Sequence, residues 1–325
     1  MRILITLAFC QLFFVGLAQD QQVKLLQNIK SRNVQTLDGL WQVIVDPLEN
    51  GYYNHRYQPK DNGYFQNRKM ESPSDLIEYD FDSDLELMVP GDWNTQDEKL
   101  YFYEGTVWYK RSFDFEKQQG MSTFVYFEAV NYEAKVYLNG TLGGEHTGGF
   151  TPFQFEITDL LKAKDNFLVV KVDNKRKREA VPTVNTDWWN YGGITRSVHL
   201  VNVPKTHIED YSVRLSSDRK HIEGWVSLST QRADKKITIS VPELKLNEVM
   251  VTDEQGRAQF KISAKPKLWA PSDPKLYDVI LSAGNETIKD KIGFRTIETR
   301  GTEILLNGES VFLKGISIHE EAPFK

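Results

Sequence analysis

Asp187 begins the segment of this sequence with the clearest binding chemistry, because two tryptophans follow this carboxylate directly. A carboxylate accepts hydrogen bonds from two neighbouring hydroxyl groups and can orient them. The indole rings of Trp188 and Trp189 can stack on the apolar face of a sugar ring, and they can equally pack in a core. From residue chemistry alone, an aspartate that caps the backbone of a turn is the simpler interpretation of Asp187.

His319 follows a short apolar segment, Val311–Ile318, whose pattern is typical of a strand buried on both faces. In a (β/α)₈ barrel, functional side chains stand at the carboxyl ends of the strands, which makes His319 a candidate pocket residue. Glu320 and Glu321 are adjacent on the strand and point to opposite faces, so they do not flank one bond as a catalytic pair. His319-Glu320 also begins the zinc motif H-E-x-x-H, but Pro323 replaces its second histidine.

The overall composition excludes several classes of function. Of the 325 residues, 40% are hydrophobic and 26% are charged, which is typical of a globular protein. The net charge of −5 and a single basic cluster at 175–178 argue against a nucleic-acid partner. Cys10 is the only cysteine, so disulfides and cysteine-based zinc sites are excluded once the residues before Gln19 are removed. Neither a metal nor a cofactor is expected.

The amino terminus has the pattern of a secretory signal peptide over residues 1–18. Arg2 supplies a positive charge, residues 3–17 are mostly apolar, and small residues precede the cleavage point at Gln19. The apolar segment is too short for a membrane anchor, so no anchor is expected after cleavage. The sequence therefore predicts a periplasmic or secreted protein.

Residues 19–204 are predicted to form a first β-sandwich, because short segments alternate between apolar and polar residues and no long amphipathic helix is present. The dipeptide Asn139-Gly140 is typical of a two-residue hairpin turn with positive φ. The strands predicted for this unit are Gly39–Val45, Thr106–Phe113, Phe124–Glu128, Ala134–Leu138 and Phe167–Val172.

Residues 205–299 are predicted to form a second sandwich of the immunoglobulin-like type, because about a hundred residues contain several short strands with turns between them. Residues 300–325 begin a third domain, with a strand near Ile304 and an Asn-Gly turn after it. Val311–Ile318 is then predicted to be the first strand of a (β/α)₈ barrel that is truncated at Lys325. The strands predicted for the second sandwich are Trp225–Ser229, Ile237–Val241, Ala258–Ile262 and Leu276–Leu281.

Several motifs, taken in chain order, resemble glycoside hydrolase family 2. For the sugar-binding domain of that family they are Val89–Asn94, Tyr103–Tyr109, Val136–Gly140, Gly148–Phe153 and Asp187–Arg196. For its immunoglobulin-like domain they are Leu268–Pro271, Leu276–Tyr277 and Gly293–Arg295, and for the entry to its barrel they are Asn307–Gly308, Phe312–Gly315 and His319–Glu320. The resemblance implies a mostly β fold, in which a jelly-roll-like sugar-binding sandwich precedes the immunoglobulin-like sandwich and the start of the barrel.

The resemblance also implies roles for two residues. Asp187 matches an aspartate that reaches from the sugar-binding domain into the barrel mouth and hydrogen-bonds sugar hydroxyls. His319 matches a histidine that lines the sugar pocket at the end of the first barrel strand. Both are therefore predicted substrate-binding residues. The two glutamates of the retaining mechanism lie beyond that strand in the family, so no residue of this sequence is assigned as catalytic.

The main hypothesis is a secreted, β-glucuronidase-like glycosidase that hydrolyses β-linked glycosides in polysaccharide breakdown, with β-galactosides as the alternative substrates. The expected partner is a β-linked oligosaccharide, and a homo-oligomer is left open. A second hypothesis is a truncated protein that binds carbohydrate weakly or is inert, because a single barrel strand cannot close a barrel. Whether these residues act as an enzyme stays open at this point.

Overall fold

The computed structural model describes residues 24–53, 56–59, 79–82, 85–186 and 188–317. Within these residues the regular secondary structure is almost entirely β, so the prediction of a mostly β fold is confirmed. The described helices are short 3₁₀ turns at Ile29–Ser31, Glu98–Leu100 and Pro242–Leu244. None of the helices in the described part of the chain has the length and apolar character to span a membrane. The predicted signal peptide, residues 1–18, lies outside the described residues and stays a prediction.

The first unit contains two antiparallel sheets. Its strands are β1 Asn33–Thr36, β2 Gly39–Asp46, β3 Glu86–Val89, β4 Thr106–Phe113, β5 Met121–Phe127, β6 Glu133–Leu138, β7 Thr141–Thr147, β8 Phe153–Glu156, β9 Asn166–Asp173 and β10 Val198–Pro204. One sheet has the order β3-β2-β4-β9-β6-β7 and the other has the order β1-β10-β5-β8. All five strands predicted for this unit from alternation are present.

One apolar core fills the space between these two sheets. Trp41 and Tyr109 come from the six-stranded sheet, Phe127 and Leu200 come from the four-stranded sheet, and none of them is more than 1% exposed. Because successive residues of a strand point to opposite faces, the period-2 pattern sends one set of side chains into this core. Full burial of each large apolar side chain stabilises the fold by about 1.5–3 kcal/mol.

The turn Asn139-Gly140 connects β6 to β7 as the sequence predicts. Both residues have positive φ, 51° and 87°. The Asn139 side chain donates hydrogen bonds to the Leu160 carbonyl oxygen (2.8 Å) and to Asn166 Oδ1 (2.9 Å). The asparagine therefore stabilises the turn through its side chain as well as through its backbone conformation.

The second unit is also a pair of antiparallel sheets. Its strands are β11 Ile208–Leu215, β12 His221–Leu228, β13 Lys236–Val241, β14 Leu246–Val251, β15 Arg257–Ser263, β16 Tyr277–Ala283 and β17 Glu286–Ile292. The sheets have the orders β11-β12-β15 and β14-β13-β16-β17. Ile222 and Val226 from one sheet and Ile237 and Val279 from the other are fully buried in a core of their own.

A third, small sheet follows, and here the structure corrects the sequence prediction. It is formed by β18 Ile297–Arg300, β19 Glu303–Leu306 and β20 Glu309–Ser310, with the predicted Asn-Gly turn between the last two. Val311–Ile318 was predicted as the first barrel strand, but its described residues, 311–317, form no strand, and Phe312 and Ile316 are 84% and 85% exposed. A barrel strand needs hydrogen-bonded strands on both sides, and none of the described residues supplies one here.

Residues 24–32, which we call the amino-terminal strap, contact both units. Leu26 and Ile29 are buried against the outer face of the four-stranded sheet. On the opposite side, Asn28 Nδ2 donates to the Lys289 carbonyl oxygen (2.8 Å), and the Lys289 amide donates to Ser31 Oγ (2.7 Å). The strap therefore joins the first unit to β17 of the second.

The strap ends in a buried ion pair. The side chains of Arg32 and Glu286 are 2% and 7% exposed, and Arg32 Nη1 contacts Glu286 Oε1 directly. Ile208, the first residue of β11, lies between them. Arg32 Nη2 donates to the Ile208 carbonyl oxygen (2.6 Å), and the Ile208 amide donates to Glu286 Oε2 (2.5 Å). The Arg32 guanidinium, the Glu286 carboxylate and the amide and carbonyl groups of Ile208 therefore all have hydrogen-bond partners at the junction of the two units.

The outer face of the six-stranded sheet carries a cluster of charges around Glu49. Lys171 Nζ and Lys175 Nζ lie 3.1 and 3.2 Å from Glu49 Oε1. Burial alone would raise the pKa of the Glu49 carboxyl, but the two ammonium groups outweigh it and lower that pKa from 4.5 to about 2. The folded protein therefore holds Glu49 as a carboxylate at pH values where the unfolded chain takes up a proton.

We expect this difference to make the protein less stable in acid. A lowered pKa in the folded state stabilises the fold above the unfolded-state pKa and stops doing so as the pH falls through 4.5 towards about 2. Between about pH 6 and pH 3 the Glu49 contribution should fall by about 1 kcal/mol, allowing for solvent screening. Urea unfolding of Glu49→Gln at both pH values should show a smaller loss than wild type. Glu116→Gln, an exposed control, should behave like wild type, and equal losses in all three proteins would refute the expectation.

Candidate functional site

The segment Trp188–Arg196 connects β9 to β10 and lies beside the connection between β5 and β6. The two connections are joined by a pair of backbone hydrogen bonds: the Asn131 amide donates to the Gly193 carbonyl oxygen (2.9 Å), and the Gly193 amide donates to that of Asn131 (3.1 Å). The Gly91 amide donates to the Ile194 carbonyl oxygen (2.9 Å) from a third connection. Two other connections of the chain thus hold this segment in place.

Buried asparagine side chains add to this attachment. Asn174 Nδ2 donates to the Asn190 carbonyl oxygen (2.8 Å), and Asn131 Nδ2 donates to Asn190 Oδ1 (3.2 Å). Asn94 Oδ1 accepts from the Gly192 amide (2.9 Å). These four asparagines, at most 5% exposed, form what we call the asparagine clamp: Asn94, Asn131, Asn174 and Asn190. An amide side chain suits this role, because it donates and accepts at once.

Gly192 lets the segment approach the core closely. A Cβ atom on Gly192 would lie 2.0 Å from Trp93 Cζ2 and 2.5 Å from Asn174 Nδ2. Trp93 is fully buried, and its indole Nε1 donates to the Tyr103 carbonyl oxygen (3.1 Å). The neighbouring Gly193 has a φ of 135°, which favours glycine. Both glycines of the motif are therefore required by the local structure.

A cavity of about 500 Å³ opens beside the clamped segment. Trp188 lines it and is 45% exposed, so its indole ring has an accessible surface. Phe150, 58% exposed, lines it as well, from the loop between β7 and β8. The remaining lining residues are Gly91, Asp92, Asn131, Gly149, Pro182, Trp189, Asn190, Tyr191, Thr195 and Arg196. Aromatic surface with a few polar groups is typical of ligand pockets.

The two tryptophans of the motif have different surroundings. Trp189 is half-buried in an aromatic cluster, with ring centroids 4.9 Å from Tyr101 and 5.6 Å from Phe102. Such contacts contribute about 0.5–1.5 kcal/mol each beyond the burial of area. Trp189 therefore has a packing role, whereas Trp188 presents its ring to the cavity.

The ionisable groups near the cavity include a buried tyrosine, which stays neutral, and two side chains of opposite charge. Tyr109, beneath Gly193, is fully buried, and burial together with the nearby Asp92 carboxylate raises its pKa far above the ordinary value. It stays a neutral phenol and has no acid–base role near neutral pH. Among the described residues, the charged ones that line the cavity are Asp92 and Arg196. The Asp92 carboxylate accepts hydrogen bonds from the Thr95 amide (2.8 Å) and from Thr95 Oγ1 (2.9 Å).

Neither predicted substrate-binding residue can be placed in this geometry. Asp187 and His319 both lie outside the described residues, and so do Glu320 and Glu321. Their roles stay predictions. Among the residues that the structure does describe, no group of three or more His, Cys, Asp and Glu side chains could hold a metal ion.

The sequence motifs located the segment but missed the residues that hold it. Asn131 and Asn174 belong to none of the motifs, although both contact Asn190, Asn131 from the connection between β5 and β6 and Asn174 from the start of the β9–β10 connection itself. The available signal was their type, since asparagine is disfavoured beside alternating apolar strands unless its amide is hydrogen-bonded. Arg196 was present in a motif, but no role was predicted for it.

Comparison with known proteins identifies relatives for most of the chain. Residues 34–204 match the model of the glycosyl hydrolases family 2 sugar binding domain, and residues 206–295 match a second model, described as glycosyl hydrolases family 2. A β-galactosidase of Thermoanaerobacter pseudethanolicus is 30% identical over an alignment of 280 positions that covers 78% of this chain and 38% of the relative.

Solved structures with a similar fold include two β-glucuronidases. A β-glucuronidase of Bifidobacterium dentium, complexed with coumarin-3-O-glucuronide, has a TM-score of 0.71 and 25% identity over 89% of this chain and 52% of the other. A β-glucuronidase of an uncultured Clostridium species has a TM-score of 0.69 and 26% identity over 88% and 49%. The chain thus spans about a third to a half of the length of these proteins.

Proposed function

The chain belongs to glycosyl hydrolases family 2, and from this premise we propose that it forms the sugar-binding part of a β-glucuronidase-like glycoside hydrolase. The cavity lined by Trp188 is the observation that carries the proposal. It presents an accessible indole ring next to backbone held by the asparagine clamp. A rigid aromatic surface beside polar groups suits a pyranose ring, which has an apolar face and hydroxyls around its edge.

The choice of a β-glucuronide rests on the solved relatives. Both compared structures are β-glucuronidases, and one was solved with a glucuronide. A β-galactoside is the second candidate substrate, because the relative from Thermoanaerobacter pseudethanolicus is a β-galactosidase of 30% identity. In either case the reaction would be hydrolysis of a β-glycosidic bond by a pair of carboxylic acids, and we assign neither acid to a residue of this sequence.

We further propose that Asp187 and His319 contact the sugar. The support for Asp187 is that the next residue, Trp188, lines the cavity, and that a carboxylate holds two adjacent hydroxyls well. His319 is proposed from its motif alone. Within this proposal Asp187 orients the ring and Trp188 supports its apolar face.

Ligand binding to the full 325-residue chain tests the proposal whether or not the chain hydrolyses the ligand. We expect 4-nitrophenyl β-D-glucuronide to bind more tightly than its α anomer and than 4-nitrophenyl β-D-galactoside, measured by saturation-transfer NMR. Asp187→Asn should weaken binding by about tenfold, because a hydrogen bond to a charged group is worth about 1.5–3 kcal/mol. Asp159→Asn, an exposed control in the loop after β8, should not change it.

The outcomes separate the alternatives. Tighter binding of the galactoside would favour the second candidate substrate. Binding that does not distinguish the anomers, or that Asp187→Asn leaves unchanged, would contradict the proposed site.

A further inference from the structure

Arg196 places a cationic side chain in the lining of the cavity. It is exposed and lines the same cavity as Trp188 and Asn190. Within the described residues, its guanidinium takes part in no ion pair and no side-chain hydrogen bond. Arginine is the side chain best suited to hold a planar anion, because its donors form a rigid fork.

The backbone beneath this cation is well fixed. The Arg196 amide donates to the Ala129 carbonyl oxygen (3.3 Å). Ile194, two residues earlier, is fully buried, and its carbonyl oxygen accepts from the Gly91 amide (2.9 Å). The guanidinium therefore extends from a fixed point at the edge of the cavity, which reduces the ordering cost of binding a ligand there.

The local charge also favours an anionic ligand. Among the lining residues that the structure describes, Asp92 is the one acid, and its carboxylate already accepts two hydrogen bonds from Thr95. Asp187, proposed above to hold sugar hydroxyls, lies outside the described residues. The chain as a whole is acidic, with 45 Asp and Glu against 40 Lys and Arg. An unpaired arginine in this cavity is therefore a local feature and does not follow from a generally basic surface.

We propose that Arg196 makes this cavity select sugars that carry an anionic group, either a hexuronate carboxylate or a sulfate ester. This inference rests on the proposed function, because it takes the cavity as a sugar site. The sugar ring lies on Trp188, and its anionic group accepts a bidentate pair of hydrogen bonds from the Arg196 guanidinium. Arg196 is then a specificity residue supplied by the first sandwich, and neutral glycosides bind without this contribution.

Two matched pairs of ligands test the inference on the full chain by saturation-transfer NMR. Methyl β-D-glucuronide is compared with methyl β-D-glucoside, and methyl β-D-galactoside 6-sulfate with methyl β-D-galactoside. Wild type should bind at least one anionic ligand about tenfold more tightly than its neutral partner. Arg196→Gln should reduce that ratio to about one and leave the affinity for the neutral sugar unchanged. Arg196→Lys should keep part of the ratio, because it retains the charge without the fork.

Arg300→Gln is the matched control, since Arg300 is exposed on β18, away from the lining residues, and it should behave as wild type. Preference for the glucuronide alone identifies a carboxylate as the ligand, and preference for the sulfate alone identifies a sulfate ester. Equal binding of both members of both pairs would overturn the inference while the proposed sugar site stands. A preference that survives Arg196→Gln would also overturn it. No binding of any sugar would overturn the proposed function together with the inference.

Discussion

Replacing Arg32 by alanine should lower the free energy of unfolding by about 3–5 kcal/mol, because it leaves a buried carboxylate without its counter-charge. Glu286 is 7% exposed and keeps only the Ile208 amide as a donor among its observed contacts. The Ile208 carbonyl oxygen loses the Arg32 donor at the same time. Burial raises the pKa of Glu286, and Arg32 opposes that shift. Without Arg32 the carboxyl should therefore bind a proton more readily in the folded state, and the variant's deficit should grow as the pH rises.

Urea unfolding followed by circular dichroism at about pH 5 and about pH 8 measures both effects. Lys24→Ala is the matched control, since Lys24 is a cation of the same strap whose ion pair with Glu209 is exposed. An exposed pair contributes about 0–1 kcal/mol. A loss of similar size in the two variants would mean that the buried pair does not hold the units together.

Replacing Gly192 by alanine should cost about 3 kcal/mol of stability, the upper part of the range for overpacked sites, and should also remove sugar binding at the cavity. The new Cβ atom would overlap the ring of Trp93 and the amide of Asn174. Trp93 is fully buried and cannot move away without opening the core. Displacement of the Gly192 backbone instead would break its hydrogen bond to Asn94 and shift Trp188.

Thermal unfolding and ligand titration of the same protein sample separate the two effects. Gly315→Ala is the control, because a Cβ atom at Gly315 meets no atom within 4 Å and its backbone needs no positive φ. It should match wild type in both measurements. If Gly192→Ala binds sugar as wild type does, the close approach of this segment to Trp93 is not needed for the site.

The local pattern of the sequence was enough to predict the strands whose burial alternates. β4 was predicted at both of its ends, since residues 106–113 combine aromatic and β-branched residues and Gly105 precedes them. The turn at Asn139 was predictable for a similar reason, because positive φ at two successive residues restricts the residue types. The strand and the turn both depend on residues that are adjacent in the sequence, so they can be predicted from the local sequence pattern.

β7 was not predicted, because its residues are explained by contacts with residues distant in the sequence. Thr141–Thr147 contains two adjacent glycines, and its only β-branched residues are the threonines at its two ends. In the structure, a Cβ atom at Gly144 would lie 2.1 Å from the ring of Phe155, so the glycine makes room for that ring. Residues 311–317 show the opposite error, because their apolar run has the composition of a buried strand but no hydrogen-bonding neighbour in the described part of the chain.

The site was predictable in location but not in construction. The motif around Trp188 could be recognised from its residues, whereas the asparagine clamp could not. Asn131 lies 59 positions from Asn190 in the sequence, and no periodicity connects them. Hydrogen bonds between buried amide side chains depend on the complete fold. They can be identified only from a structure in which the positions of the connections are known.

The amino-terminal strap has a consequence for the order in which the chain folds. Its contacts with the second sandwich join residues 254 and 258 positions apart, Arg32 with Glu286 and Ser31 with Lys289. Closing so long a loop costs much chain entropy, and contacts of this separation form late. During synthesis the strap emerges more than 250 residues before its partners on β17. The first sandwich can acquire its core before then, whereas the second needs Ile288 of β17 for its own core. We therefore expect docking of the strap to be a late step that couples the unfolding of the two sandwiches.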